Sequence, residues 1–482
     1  MKKNKFITIL ILLLAMVSCR KELELEPHQI YYDNYYQTGS DALTAINAVY
    51  DVLGSVSQYS SYLWLIQDIA SDDCNARPTL NDPNLHEFNT YALKSTNNYL
   101  ARIWQASYLG ISRANVVLEK VPAISMDSAL QQRILGEARF LRGLYYFNLV
   151  RLFGDVPLVT VPVSSNLGSE EIYPSRVAAS NVYRQIKEDL TVAASALPVK
   201  HTNPADKGRA TRGAALGLLS KVHLTAGEWQ EAYQAAQQII ESNIYSLHAD
   251  FAANFKESNK NGKESVFEVQ FYKNANSENS QMVISGLPSL PGVFSAGVEI
   301  MLPTDDLLNS FEVGDHREES TFFSEFWGYT FGPHIWKFWD QDAYKPSATS
   351  QSGANFMVMR YSEVLLIYAE ALNEAFGGPT VEAYAAINAV RARARNGVAG
   401  VLPDLSGMDQ AAFRNAILLE RRHEFVSEGH RWYDLVRTGN LIEYVKKAKG
   451  ETANPSGFNT IFPIPQRERD LNRNLTQNPG YF

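Results

Sequence analysis

The chain has 482 residues, 45% of them hydrophobic and 20% charged, which suits a large buried core and excludes a disordered protein. Its formal net charge is −8. No run of Lys or Arg could follow a phosphate backbone, so we predict no nucleic-acid partner. Aromatic residues make up 11% of the chain. They could line a binding surface or simply pack helices together.

The N-terminus has the layout of a bacterial lipoprotein signal. A basic start is followed by the apolar run 6–17, and Ser18 then precedes Cys19. The run is too short to span a membrane and has the length of a signal h-region. We predict cleavage before Cys19 and lipid on that cysteine, although Met16 departs from the usual Leu. An ordinary signal peptide that happens to contain Cys19 is the alternative. Lipidation of Cys19 would leave Cys74 alone, so no intrachain disulfide could form.

The body of the chain begins with a helix predicted from Asp41. Between Gln67 and Asn98 the helical period disappears, and Asp, Asn, Pro and Thr accumulate. A stretch of this length without periodicity is usually functional or disordered. A helix is predicted again over residues 99–120.

The next helix should lie at the centre of the fold. Ser128 and Gln131 predict a capping box at its start, and Gly154 and Pro157 prevent its continuation. Two neighbouring apolar stripes run along it, so it needs cover on two sides. Three arginines on the same helix need partners or a route to water: Arg139, Arg142 and Arg151.

Two later segments predict pairs of helices joined by glycine turns. Residues 211–242 and 360–394 each place small and aromatic residues as in a tetratricopeptide unit. The region between them, 246–351, reads as an insertion that contains a strand over 265–272 and many aromatic residues. Two more helices are predicted, over 408–426 and 430–445, followed by an extended tail.

Five stretches of the chain resemble the SusD/RagB family of outer-membrane lipoproteins. They are, in order, EARFLRGLYYFNLVRLFGDVPLV, MRYSEVLLIYAEALNEA, INAVRARA, ERRHEFVSEGHRWYDLVRTG and FPIPQRERDLN with LTQNPGY. The resemblance implies a mostly α fold of about four tetratricopeptide-like helix pairs in a right-handed superhelix, with loop and short-strand insertions on the opposite face.

The resemblance also implies a function. Such a protein captures oligosaccharides at the surface of the outer membrane and delivers them to a SusC-like TonB-dependent transporter. Capture of peptides or another nutrient, or a scaffold role without a ligand, are the alternatives. We divide the chain into a signal peptide (1–18), a lipidated tether (19–40), a SusD-like N-terminal helical part (41–245), the insertion region (246–351) and a SusD/RagB C-terminal part (352–482), all in one compact body.

The charged stretch 420–434 invites a metal or acid–base interpretation. A zincin needs H-E-x-x-H, but His423 and Glu424 are followed by Phe425, Val426 and Ser427. We therefore predict a structural ion-pair network around Arg421, Arg422 and Arg431. No nucleophile elbow, P-loop or dinucleotide fingerprint occurs, so we predict no enzyme, no catalytic residue, no metal and no cofactor. Whether a calcium ion holds the loop near position 72 stays open, because its Asp and Asn lack a recognised ligand pattern.

A sugar site needs aromatic faces for the C–H surfaces of the rings, and polar side chains for the hydroxyls. Two stretches offer both. The predicted glycan-binding residues are Asp72, Asn75, Arg77, Tyr91 and Asn97 in the first stretch, and Trp327 and Tyr329 in the second. For the first stretch, a solvated loop without a ligand is the alternative. Trp336 and Trp339 lie in a strand-like segment and are predicted to be core residues instead.

Overall fold

The computed structural model describes residues 36–162, 168, 172–273, 279–343, 345–347 and 352–482. The predicted signal peptide, the lipidation of Cys19 and most of the predicted tether lie outside the described residues.

Helices dominate the described residues. They run α1 Gly39–Asp51, α2 Tyr62–Ala70, α3 Pro83–Thr90, α4 Asn98–Lys120, α5 Ser128–Phe153, α6 Ala179–Ala196, α7 Arg212–Ala226, α8 Trp229–Glu241, α9 Met282–Gly286, α10 Asp305–Leu308, α11 His316–Thr321, α12 Tyr361–Phe376, α13 Val381–Ala394, α14 Gln410–Glu424, α15 Arg431–Arg437, α16 Leu441–Lys449 and α17 Gln466–Leu471.

The strands form two-stranded antiparallel sheets. They are β1 Cys74–Ala76 with β3 Met301–Pro303, β2 Ser265–Val269 with β6 Phe356–Arg360, and β4 Phe322–Phe326 with β5 Tyr329–Ile335. The strand predicted over 265–272 is therefore confirmed, although it ends at Val269.

Eight helices form one array in which each helix packs on the next. Their spatial order is α1, α4, α5, α6, α7, α8, α12 and α13. Successive members make four pairs, so the predicted helix pairs are confirmed. The connection within the first pair, from α1 to α4, carries α2, β1 and α3. The connection from α8 to α12 carries the other strands with α9, α10 and α11, and helices α14 to α17 follow the last pair.

Helix α5 lies in the middle of this array, between α4 and α6. Its buried residues follow one another from Phe140 to Val150, which explains the two apolar stripes. A Cβ on Gly110 of α4 would lie 2.3 Å from the Tyr145 ring, so glycine permits this close approach. Two of the predicted arginines bind one carboxylate of α6: Arg142 Nη2 lies 2.7 Å and Arg139 Nη1 3.1 Å from Asp189 Oδ1.

Two predicted helix boundaries are wrong. Asp127, not Ser128, caps α5, because its carboxylate accepts from the Leu130 N–H at 2.8 Å. Gln131 instead donates to carbonyl groups of the preceding turn. The helix predicted over 430–445 is two helices, because Gly439 adopts φ +75° between them, and such a residue interrupts the helix.

The stretch 67–98 is ordered, which corrects the expectation of a structureless segment. It contains β1 and α3, and the latter begins at Pro83 with Asp82 as its cap. Leu85 and Phe88 of α3 are fully buried. Because α3 has only eight residues and a weakly amphipathic sequence, helical periodicity did not reveal it.

Lys449 at the end of α16 is buried, and its ammonium group gives a pH prediction. Its Nζ donates to the Ile69 carbonyl at 2.5 Å. Burial lowers the pKa of Lys449 from its usual 10.5 to about 8, against the attraction of Cys74, Asp72 and Asp73. Between these two pH values the unfolded chain binds more protons than the folded one. The free energy of unfolding therefore rises with pH in this window, by roughly 3 kcal/mol for this group.

We expect Lys449→Met to lose this rise. Chemical unfolding of wild type and variant at several pH values between about 8 and 10.5 measures the difference. Lys447→Met is the matched control, because Lys447 lies on the same helix with its side chain 68% exposed. Parallel pH profiles for wild type and Lys449→Met would contradict the prediction.

Candidate functional site

Most of the first predicted glycan-binding stretch is structural. Asp72 is fully buried, and its two carboxylate oxygens each accept a 2.8 Å hydrogen bond from Arg431. Arg422 Nη2 lies 3.2 Å from Asp72 Oδ2. Burial raises the pKa of Asp72, but attraction to Arg431 and Arg422 outweighs this and holds the pKa below its usual value. Asp72 is therefore an ion-pair partner, and its assignment to a sugar was wrong.

Tyr91 and Asn97 are also corrected. The Tyr91 hydroxyl donates to the Ala70 carbonyl, and the residue is 6% exposed. Asn97 caps α4: its Oδ1 accepts from the Tyr99 N–H at 3.0 Å, and its Nδ2 donates to Glu87. Asn is a preferred helix cap because its short amide side chain accepts hydrogen bonds from nearby N–H groups. The same amide can hydrogen-bond a sugar hydroxyl. Residue type alone could not separate these two roles.

Asn75 and Arg77 lie at the surface end of this stretch. Asn75 is half-buried in β1 and pairs with Leu302 of β3. Arg77 is half-buried, and its Nη1 lies 3.2 Å from Glu299 Oε2. Glu299 also accepts from His334 Nε2 at 3.0 Å. This relay of Arg77, Glu299 and His334 joins the first predicted stretch to strand β5 of the second.

The second stretch forms the tip of the β4–β5 hairpin. Phe326 pairs with Tyr329, so Trp327 and Gly328 make a two-residue loop. Both have positive φ, +48° and +80°, as a type I′ turn requires. Asn-Gly is the favoured pair in such a turn, and a tryptophan at its first position adopts a conformation unfavourable for its side chain. The turn nevertheless leaves the Trp327 indole exposed to solvent.

The hairpin tip is aromatic and exposed. Trp327 is 69% exposed and Tyr329 is 51% exposed. The Trp327 ring stacks on Phe326 with centroids 5.0 Å apart, and Phe326 contacts Phe294 at 5.1 Å. The exposed indole therefore rests on a partly buried aromatic base, which limits its freedom to move.

Trp336 and Trp339 differ in burial. Trp339 is 6% exposed and packs on Phe294 and Phe326, so its prediction as core is confirmed. Trp336 is half-buried, because one face stacks on Phe323 at 4.9 Å while the residue still reaches the surface.

Glu299 is a site candidate that the sequence analysis missed, and His334, which is 3% exposed, holds it in place. Glu299 is 222 residues from Arg77 in the sequence and 35 from His334. No spacing rule links positions so far apart. Glu299 also adopts φ +50°, which becomes visible only in the structure.

The charged stretch 420–434 is a structural network, as predicted. Arg421 donates to Asp434 at 2.8 Å, and Arg422 donates to Asp73 at 2.7 Å. Glu424 is buried against Arg360 at 2.7 Å. Attraction to arginines holds its pKa well below the usual value despite burial. A carboxylate with so low a pKa is a weak base, and a fully buried one is out of reach of a substrate, so Glu424 is unsuited to acid–base catalysis. Among the described residues, no group of three or more His, Cys, Asp or Glu is placed to hold a metal ion.

Comparison with known proteins matches two family models to the chain. One, described as the SusD family, covers residues 323–481; the other, described as starch-binding and associating with the outer membrane, covers residues 31–224. The chain belongs to the SusD/RagB family. The recognition made from the sequence motifs and the tetratricopeptide-like fold are both confirmed.

Similar SusD/RagB proteins cover almost the entire chain. SusD-like protein P2 of Formosa agariphila is 29% identical over 100% of both chains. A SusD homologue of Bacteroides thetaiotaomicron superposes with a TM-score of 0.81 at 28% identity, over 93% of this chain and 98% of that one. A laminarin-binding SusD-like protein superposes with a TM-score of 0.77 at 29% identity, over 92% and 100%.

The laminarin-binding relative and the N-terminal family model are described by what they bind, which agrees with the prediction that the chain is not an enzyme. Within the described part of the chain, no helix has the length and hydrophobicity needed to span a membrane.

Proposed function

We propose that this chain is a lipoprotein of the outer-membrane surface that binds an oligosaccharide at the β4–β5 hairpin tip. The observation that carries the proposal is Trp327, 69% exposed and held in a left-handed conformation that disfavours its side chain. Unfavourable backbone conformations that persist at an exposed position are common at ligand sites. Trp327 and Tyr329 supply aromatic faces for the C–H surfaces of sugar rings.

Polar partners for the sugar hydroxyls lie beside the His334 end of the same strand. His334 and Tyr329 are five residues apart on β5, at most about 17 Å. The relay brings the Arg77 guanidinium and the Glu299 carboxylate to the His334 end, and each side chain is about one quarter exposed. Asn75 on the neighbouring β1 stays a candidate. A site that extends from Tyr329 to the Arg77–Glu299 pair is long enough for several sugar units rather than one.

Relatives support the ligand class. The laminarin-binding protein described above shares 29% identity with this chain, and the N-terminal family model is described as starch-binding. We further propose that lipidated Cys19 anchors the chain in the outer membrane and that the bound oligosaccharide passes to a SusC-like TonB-dependent transporter. Both proposals rest on the family and on the lipoprotein pattern of the N-terminus.

Titration calorimetry of the full-length protein against laminarin, soluble starch, alginate and a peptide mixture tests the ligand class. We expect binding of at least one uncharged polysaccharide and none of the peptides. Binding of peptides alone would assign the chain to peptide capture. Binding of nothing, with a transporter still co-purifying from outer membranes, would leave the scaffold role in place of the proposed one.

A further inference from the structure

A second groove lies beside β4, on the surface that carries Trp336. It has a volume of about 670 Å³, in the range of ligand sites. Residues that line it include Phe255, Lys256, Ser324, Glu325, Trp336 and Gln341. We call it the Trp336 groove. The relay of Arg77, Glu299 and His334 does not contribute to it.

The groove has a rigid aromatic floor. Phe323 stacks on Trp336 with a centroid distance of 4.9 Å and an angle of 7° between the rings. The indole Nε1 donates to the Glu319 carbonyl at 3.1 Å. These contacts fix the ring and cover one of its faces, and the half-buried side chain borders the groove. A fixed aromatic surface costs little entropy when a ligand packs on it.

The groove lies close to the hairpin tip. Phe326 lies 5.0 Å from the Trp327 ring and 5.3 Å from the Trp339 ring. The Trp327 and Trp339 centroids are therefore at most about 10 Å apart, and Trp339 lines the groove. A chain bound at the tip needs to extend only a short distance to enter the groove.

The rim of the groove is acidic and polar. Glu319, which pairs with His316, and Glu325 line the groove, and Asp342 follows the lining residue Gln341. The Glu319 and Asp342 side chains are 71% and 86% exposed, and Glu325 is exposed on β4. Lys256 is already paired, with its Nζ 2.7 Å from Asp342 and 3.5 Å from Asp340. This rim offers acceptors to hydroxyl groups and repels carboxylates and sulfates. Ser324 and Gln341 add groups that both donate and accept.

We propose that the Trp336 groove is a second sugar-contact surface, which takes uncharged units of the same oligosaccharide that the tip holds. The inference rests on the proposed function and deepens it in two ways. First, the oligosaccharide must be longer than the part that the tip holds, so that further units reach the groove. Second, the units that occupy the groove are uncharged sugars.

The test compares short and long laminari- and malto-oligosaccharides by calorimetry. In the wild type, affinity should rise about tenfold from trisaccharide to hexasaccharide, as an added aromatic contact predicts. Ser324→Leu fills the groove from an exposed strand position and leaves Trp336 in place. We expect it to abolish the rise while the trisaccharide affinity stays unchanged, and Trp336→Ala to act in the same direction. Ser195→Leu, the same change at an exposed position of α6, is the control.

The outcomes separate the two proposals. Failure of the wild type to bind any oligosaccharide contradicts the proposed function, and this inference with it. Binding whose length dependence survives in Ser324→Leu overturns the groove alone. Tighter binding of alginate, which carries carboxylates, than of the uncharged laminari- and malto-oligosaccharides also overturns the groove proposal. The proposal is also overturned if the wild type binds a lysine-rich peptide and Ser324→Leu abolishes that binding, because the groove would then be a peptide site.

Discussion

Asp72→Asn is expected to lower the free energy of unfolding by about 3–5 kcal/mol, because it removes a buried carboxylate and leaves its cationic partner without compensation. Arg431 donates two hydrogen bonds of 2.8 Å to Asp72, and Arg422 lies 3.2 Å away. The amide keeps the shape of the side chain but carries no charge. The loss would be the penalty for buried, unpaired guanidinium groups rather than the net value of one ion pair.

Denaturant unfolding followed by tryptophan fluorescence measures this loss. Asp342→Asn is the matched control, because Asp342 also forms an ion pair, with Lys256, but its side chain is 86% exposed. Water screens such a pair, so we expect no measurable change in the control. The folded fraction of Asp72→Asn should keep the wild-type glycan affinity. Wild-type stability together with lost binding would return Asp72 to the glycan site.

Trp327→Asn is expected to move stability and binding in opposite directions. Asparagine tolerates positive φ and is favoured before glycine in a type I′ turn, whereas tryptophan is not. The substitution loses the stack on Phe326, but that contact is largely exposed and worth less than the backbone strain. We expect the free energy of unfolding to rise by about 0.5–1 kcal/mol. The glycan affinity should fall about tenfold, because the indole face is gone.

Trp327→Ala separates the two effects. Alanine also removes the indole, so its loss of affinity should equal that of asparagine. It keeps a Cβ at positive φ without the local hydrogen bonds of asparagine, so it should not gain stability. Phe376→Ala, at an aromatic residue 62% exposed at the end of α12, should keep the wild-type affinity. If Trp327→Asn lost both stability and affinity, the strain at the tip would have been overestimated.

The helical array followed from the sequence because its signals are local. The two apolar stripes of α5 predicted cover on both sides, and α4 and α6 supply it. The hydrophobic period also predicted the helix pairs α7 with α8 and α12 with α13. It failed at α3, which is short, and at Gly439, where a glycine within an apolar period interrupts a predicted helix. Short elements contain too few turns for a period to emerge.

The candidate site followed only in part, because its contacts are not local. Trp327 lies among Gly, Ser and Glu, and this composition indicated an exposed ring. Asp72 lies in an equally polar stretch, but Arg431, 359 residues later, buries it. Glu299 was missed for the same reason. Sequence can show which side chains suit a sugar, but the tertiary fold decides which of them reach water.

Calorimetric titration of the wild type and Trp327→Asn with laminarin and soluble starch decides whether the exposed indole at the hairpin tip binds a glycan. We expect the wild type to bind at least one of them, and the variant, folded and at least as stable, to bind it about tenfold more weakly. Equal affinities for wild type and variant would contradict a glycan site at the hairpin tip.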